Sequence, residues 1–170
     1  MKLKSSSRIF AALLGAVVVP MVAVDAVAAD GTASGTLTYA AKSGAITMSP
    51  KFAYLVKGPD AVDNSKIIRH LILSPTDLGA KIAACKTLSC TDGDLKNGMT
   101  VDLDVGPRLN YWVVLNDQRV QYSGTQMPAS LVLTTNSPTR LAGKLVFDDA
   151  TAGGPKVEIV FDAPLLKKIK

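Results

Sequence analysis

A strict alternation of apolar and polar residues over positions 99–123 constrains the fold of this chain more than any other feature. Apolar side chains occupy every second position over 99–105 and again over 109–115. Because side chains of a β-strand alternate between its two faces, a period of two predicts strands with one buried face. Turn residues at 106–108 and 116–117 separate the runs. The sequence therefore predicts a three-stranded antiparallel meander with one apolar and one mixed face.

The mixed face of this meander carries the best candidates for a binding site. A three-residue turn at 106–108 would place Asp102 opposite Trp112, the only tryptophan of the chain. An exposed indole framed by hydrogen-bonding groups is typical of β-domains that hold a sugar, a peptide or a partner surface. The alternative is that another layer covers this face, which the neighbouring Val114 favours. The candidate binding residues are Asp102, Asn110, Trp112, Arg119 and Gln121.

The rest of the chain repeats the pattern of short alternating runs bounded by turn residues. One short helix is predicted, with Ser74 as its cap, Pro75 at its first position and Leu78 and Ile82 on its buried face. About nine or ten strands with a single helix indicate an all-β protein. We expect an antiparallel β-sandwich whose short helix precedes a local disulfide, with a β-barrel as the alternative.

The first residues have the pattern of a secretory signal peptide. A basic start is followed by an almost wholly apolar run over 9–24, and Ala26-Val27-Ala28 offers small residues for cleavage. The sequence predicts a leader at 1–28 and a single domain at 29–170. The alternative, an uncleaved anchor, is disfavoured because Pro20 interrupts a run shorter than the ~20 residues of a membrane span. We therefore expect export to the periplasm or the medium, with no stable transmembrane segment after leader cleavage.

The two cysteines, Cys85 and Cys90, are expected to form one disulfide in an exported protein. The alternative is a redox pair. Active thiol oxidoreductases place two residues between the cysteines at the start of a helix, whereas four residues separate these two. The spacing favours a structural disulfide.

The charge of the chain argues against nucleic acid as a partner. The full chain has 19 basic and 14 acidic residues, and removal of the predicted leader leaves 16 and 13. This net charge of about +3 is small, and no basic stripe interleaved with aromatic residues is present.

The sequence lacks the usual sets of catalytic residues. Its only histidine, His70, lies within the β-forming run IIRHLIL, and no G-x-S-x-G motif occurs. We therefore expect a protein that is not an enzyme and that has no cofactor. The alternative is a small secreted hydrolase acting through aspartates, with Asp102 and Asp104 as candidates because they share one predicted strand face.

A weak calcium candidate lies between the second cysteine and the meander. Asp92, Asp94 and Asn97 place oxygen ligands two and three residues apart in a glycine-rich loop. Lys96 opposes a cation there, and Asp and Asn beside glycine are ordinary turn residues. No set of histidines and thiols predicts another metal site.

Three segments, CKTLSCTDGD, GPRLNYWVVLN and GGPKVEIVFDA, resemble a group of small exported bacterial β-proteins with no assigned activity. This resemblance implies export and an all-β fold, and it brings no functional residues. The sequence thus predicts a non-catalytic binding or interaction module of the bacterial cell envelope. Its expected partner is an envelope protein, a peptide or a glycan.

Overall fold

The computed structural model describes residues 31–117 and 121–170 of the 170-residue chain. The predicted leader and Arg119 therefore lie outside the described residues. Over these described residues the chain forms ten strands, one α-helix, α1 (Gly79–Ala84), and three short 3-10 turns. The strands are β1 (Thr32–Ala41), β2 (Gly44–Met48), β3 (Phe52–Pro59), β4 (Ile67–Ser74), β5 (Gly98–Leu103), β6 (Leu109–Val114), β7 (Tyr122–Gln126), β8 (Leu131–Ser137), β9 (Arg140–Asp148) and β10 (Pro155–Lys168).

The strands form one continuous open sheet in the order β7-β6-β5-β4-β3-β1-β10-β9-β8, with β2 added to β1. All pairs are antiparallel except that the end of β10 runs parallel to β3. The predicted antiparallel all-β fold with one short helix before a disulfide is confirmed. The barrel alternative is wrong, because the edge strands β7 and β8 do not pair with each other.

The sheet folds back on itself, so that its two halves face each other across one core. Tyr111 of β6 and Phe147 of β9 are far apart in the strand order, yet their ring centroids are 4.9 Å apart. Leu55, Leu71 and Leu145 are fully or almost fully buried in the same cluster. Burial of such side chains stabilises the fold by roughly 25 cal/mol per Å² of apolar surface. The fold is therefore sandwich-like, with the two layers continuous at β3, β1 and β10.

The layer that contains β3, β4, β5 and β6 is called the first layer here. A second, smaller apolar cluster lies on its outer face, away from the main core. Helix α1 buries Ile82 against this face, together with Ile72 of β4, Val114 of β6 and Leu95 from the loop before β5. This cluster covers one end of the outer face. It explains why Val114 is buried while its neighbour Trp112 is half-buried.

The helix begins later than the sequence predicts. Ser74 ends β4, and α1 starts at Gly79, with Leu78 at the position before it. The Oδ1 atom of Asp77, rather than Ser74, accepts a hydrogen bond from the Gly79 amide at 2.8 Å and another from the Tyr54 hydroxyl at 2.7 Å. The predicted start was wrong because β4 continues through a position that also suits a helix cap.

The predicted register of the meander is shifted by two residues. Asp102 lies opposite Asn110, and Trp112 lies opposite Thr100. The connection consists of residues 104–108, because β5 ends at Leu103 and β6 starts at Leu109. A shift of two keeps the side chains of the paired strands on their predicted faces. Within β5 and β6 the apolar and mixed faces are thus as expected, whereas the cross-strand neighbours differ and Asp104, beyond β5, leaves the mixed face.

The disulfide joins Cys85 to Cys90, with 5.5 Å between their Cα atoms, immediately after α1. Within the described ranges, no helix is long and apolar enough to span a membrane.

Candidate functional site

A row of polar side chains crosses the outer face of the first layer, and we call it the outer polar face. Residues directly opposite on antiparallel neighbours share a face. His70, Asp102, Asn110 and Thr125 are opposite one another on β4, β5, β6 and β7. The next row contains Ile72, Thr100, Trp112 and Ser123. Three of the five predicted binding residues, Asp102, Asn110 and Trp112, therefore lie together.

The neighbours of Trp112 on β7 are not those predicted. Ser123 and Thr125 are both exposed and lie beside the Trp112 and Asn110 positions. Gln121 precedes β7, and its amide donates to the Val113 carbonyl at 2.7 Å. Gln121 instead lines a cavity of about 370 Å³ at one end of the sandwich, together with Tyr39 and Asn116. The prediction for Gln121 was wrong because β7 starts only at Tyr122, so that Gln121 lies before the strand.

His70 is the buried centre of the outer polar face. Its Nδ1 atom is hydrogen-bonded to Asp102, and its Nε2 atom lies 2.6 Å from Oδ1 of Asp92. Burial alone would lower the pKa of this histidine, but the hydrogen bonds to the two carboxylates outweigh it and raise the pKa to about 9. The ring is therefore an imidazolium at neutral pH, with both nitrogens donating.

The loop residues predicted as a calcium site have separate partners. Asp92 accepts from His70, Asp94 pairs with Lys81 at 2.8 Å, and Asn97 accepts from the Asn116 amide at 2.9 Å. Their oxygens do not converge on one point. Over residues 31–117 and 121–170, no group of three or more His, Cys, Asp or Glu side chains is arranged to hold a metal ion.

The sequence placed Asp102 and Asp104 on one face, and the structure separates them. Asp104 has a φ of 72° and lies just beyond the end of β5. Its two carboxylate oxygens accept from Arg69 at 2.6 and 2.8 Å, whereas Asp102 contacts His70 on the other side of the sheet. The left-handed turn at Asp104 breaks the strand alternation, which is why the prediction was wrong. The two carboxylates cannot act on one substrate group in this arrangement.

Arg69 and His70 are the functional candidates that sequence reasoning undervalued. They are adjacent in an apolar strand, so they project to opposite faces of the sheet. Each needs a partner on its own face, because a buried charge without one is costly. Two successive charged or polar residues inside the run IIRHLIL were the signal of two separate polar clusters.

The chain was compared with known proteins. No protein-family model, no curated protein and no solved structure matches it.

Proposed function

We propose that this protein is a non-catalytic, exported binding module of the bacterial cell envelope, and that it holds its partner on the outer polar face. The observation that carries the proposal is the placement of Trp112. Its half-buried indole lies in register with the exposed Ser123 and next to the row that contains Asn110 and Thr125. An aromatic ring beside hydrogen-bonding side chains fits a glycan, a peptide or a partner surface.

The state of His70 supports binding over hydrolysis. A general base needs a free lone pair near neutral pH. Both ring nitrogens of His70 are engaged with carboxylates, and its pKa of about 9 keeps the ring protonated. The cluster therefore suits a structural role, in which a rigid charged centre fixes the strands beneath Trp112.

The disulfide supports the exported part of the proposal, because such bonds persist mainly in oxidising compartments. A leader at 1–28 belongs to the same proposal. The covalent mass of the protein purified from its own exporting cells tests both features, since it reports leader cleavage and the loss of two hydrogens. Detection of uncleaved or reduced protein there would contradict export.

Fluorescence of Trp112 tests the binding surface, since this residue is the sole tryptophan. We expect its emission to be quenched by acrylamide and to shift on titration with envelope glycans or peptides. Asn110→Ala and Thr125→Ala should each weaken that binding by about tenfold, the usual cost of losing a hydrogen bond that the partner needs. Val160→Ala is the matched control, because Val160 is 52 % exposed on β10, outside this face.

Two results would contradict the proposal. One is emission that resists quenching and is unchanged by every ligand class. The other is hydrolysis of an envelope glycan or peptide by the wild-type protein, since that result would favour the hydrolase alternative.

A further inference from the structure

Two cationic side chains lie directly opposite each other on neighbouring strands of the sheet. Lys57 of β3 and Arg69 of β4 are cross-strand partners. They share the inward face with Leu55 and Leu71, which belong to the main core. Like charges at such positions destabilise a sheet unless they are neutralised.

The carboxylate of Asp104, which lines the same cavity as this pair, binds Arg69. Asp104 accepts two hydrogen bonds from the guanidinium, and Asn136 of β8 accepts a third at 2.5 Å. Lys57 has a different partner, because its Nζ atom donates to the Pro138 carbonyl at 2.6 Å. Among the ion pairs of residues 31–117 and 121–170, none involves Lys57.

Several N–H groups of the two side chains remain available. A guanidinium has five N–H donors and an ammonium has three. In the described part of the chain Arg69 uses three of its donors and Lys57 uses one. The unused donors belong to neighbouring side chains that both line the same cavity. N–H donors of positively charged groups on neighbouring side chains favour the binding of an oxyanion.

The space above the pair is large enough for a small ligand. Lys57, Arg69 and Asn136 line a cavity of about 390 Å³, with Ile67 and Pro138 as apolar walls. Arg69 and Asp104 also border a second cavity of about 220 Å³, which adds Arg108 and the side chains of Leu131 and Leu133. We call the two cavities together the cationic cleft. Its walls carry three positive side chains and one carboxylate.

We propose that the cationic cleft is an anion-binding site, in which a carboxylate or phosphate group lies between Lys57 and Arg69 and accepts their free N–H groups. The apolar part of the ligand packs on Ile67 and Pro138. Asp104 and Asn136 hold the guanidinium in place, so the site is organised before the ligand arrives, which reduces the entropic cost of binding. This site is separate from the outer polar face and does not depend on the function proposed for that face.

The test is a titration of the full chain with inorganic phosphate and, in parallel, with citrate, at constant ionic strength. Backbone amide resonances of residues 57, 69, 136 and 137 are followed by NMR. We expect saturable shifts confined to the cleft at millimolar ligand. Tighter binding of citrate assigns a carboxylate ligand, and tighter binding of phosphate assigns a phosphate ligand. Shifts that do not saturate, or that spread evenly over the lysines and arginines of the surface, would overturn the proposal.

Variants of Lys57 and Lys51 distinguish a specific anion-binding site from general attraction of anions to a positively charged surface. Lys57→Gln should weaken binding by about tenfold, because it removes a charged donor. Lys51→Gln changes the net charge equally, but Lys51 is exposed and lies six residues earlier, roughly 20 Å along the strand direction. The variant Lys51→Gln should therefore bind the anion as tightly as the wild type does. Lys57→Arg keeps the charge and should retain binding, so it tests the site even where Lys57→Gln lowers stability. Equal weakening by the two glutamine variants would overturn the proposal.

Discussion

The carboxylate of Asp92 lies 2.6 Å from the buried Nε2 atom of His70. Asp92 belongs to the loop that follows the disulfide, and His70 belongs to the middle of β4. The contact therefore anchors an otherwise irregular segment to the centre of the sheet. Since Asp102 holds the other ring nitrogen, the charge state of one histidine couples this loop to β4 and β5.

Stability should depend on the protonation of His70. Its pKa in the folded protein is raised from 6.5 to about 9 by the two carboxylates, which outweigh burial. A raised pKa stabilises the fold fully below pH 6.5, and the contribution is lost as the pH rises through about 9. We expect the free energy of unfolding, measured in urea, to fall steadily over this window.

The variant His70→Gln provides the control for this pH dependence. It lacks the titrating group, so its free energy of unfolding should be lower at pH 6.5 and nearly constant up to pH 9. A wild-type profile as flat as that of the variant would show that the histidine is not charged in the folded state.

Alternation predicted which residues share a face, and it could not predict the strand register. Leu109, Tyr111 and Val113 face the core as expected, because parity alone determines the face. The residue opposite Trp112 depends on the length of the loop between β5 and β6. The sequence marks a turn at 106–108, but the left-handed conformation of Asp104 ends β5 earlier and lengthens this loop. Local pattern carries no information on such long-range contacts as the one between His70 and Asp92.

The cationic cleft was hidden from sequence for the same reason. Lys57 lies near the end of an apolar strand and Arg69 within another, and only the pairing of β3 with β4 brings them opposite. Asn136, which holds Arg69, comes from an edge strand 67 residues later. The order of strands in the sheet, which no local motif encodes, creates this site.

Loss of the disulfide should lower stability moderately without changing the fold. Cys85 and Cys90 close a small ring, for which the chain-entropy model gives about 2 kcal/mol. The double variant Cys85→Ser with Cys90→Ser should lose about that much in urea unfolding. Its far-ultraviolet circular dichroism should be unchanged, because both cysteines lie outside the strands of the sheet. Loss of the β-sheet spectrum in this variant would contradict a merely local role.

Two hydrogen bonds to Asp149, which follows β9, join the strands β6 and β7 to the opposite layer. The Tyr111 hydroxyl donates to Oδ2 of Asp149 at 2.5 Å, and the Gln126 amide donates to the same oxygen at 2.6 Å. Tyr111→Phe keeps the ring beside Phe147 and removes only the hydroxyl. We expect a loss of about 1.5–3 kcal/mol, as for hydrogen bonds to a charged group, measured by urea unfolding.

The matched variant Gln126→Leu tests whether both donors support Asp149. It should cost less than Tyr111→Phe, because Gln126 is only half-buried whereas Tyr111 is 1 % exposed. A larger loss for Gln126→Leu would mean that the edge strand β7, rather than the buried tyrosine, fixes the distance between the layers.

Glycine at position 35 should be required for the pairing of β1 with β10. Its φ is 116°, and a Cβ atom there would lie 2.1 Å from the Glu158 carbonyl oxygen. Gly44 has a similar φ of 122°, but no atom lies within 4 Å of its Cβ position. Both alanine variants suffer backbone strain of about 1–3 kcal/mol, and only Gly35→Ala must also move the neighbouring strand. We therefore expect Gly35→Ala to lower the melting temperature clearly more than Gly44→Ala, and equal losses would show that β10 yields easily at this point.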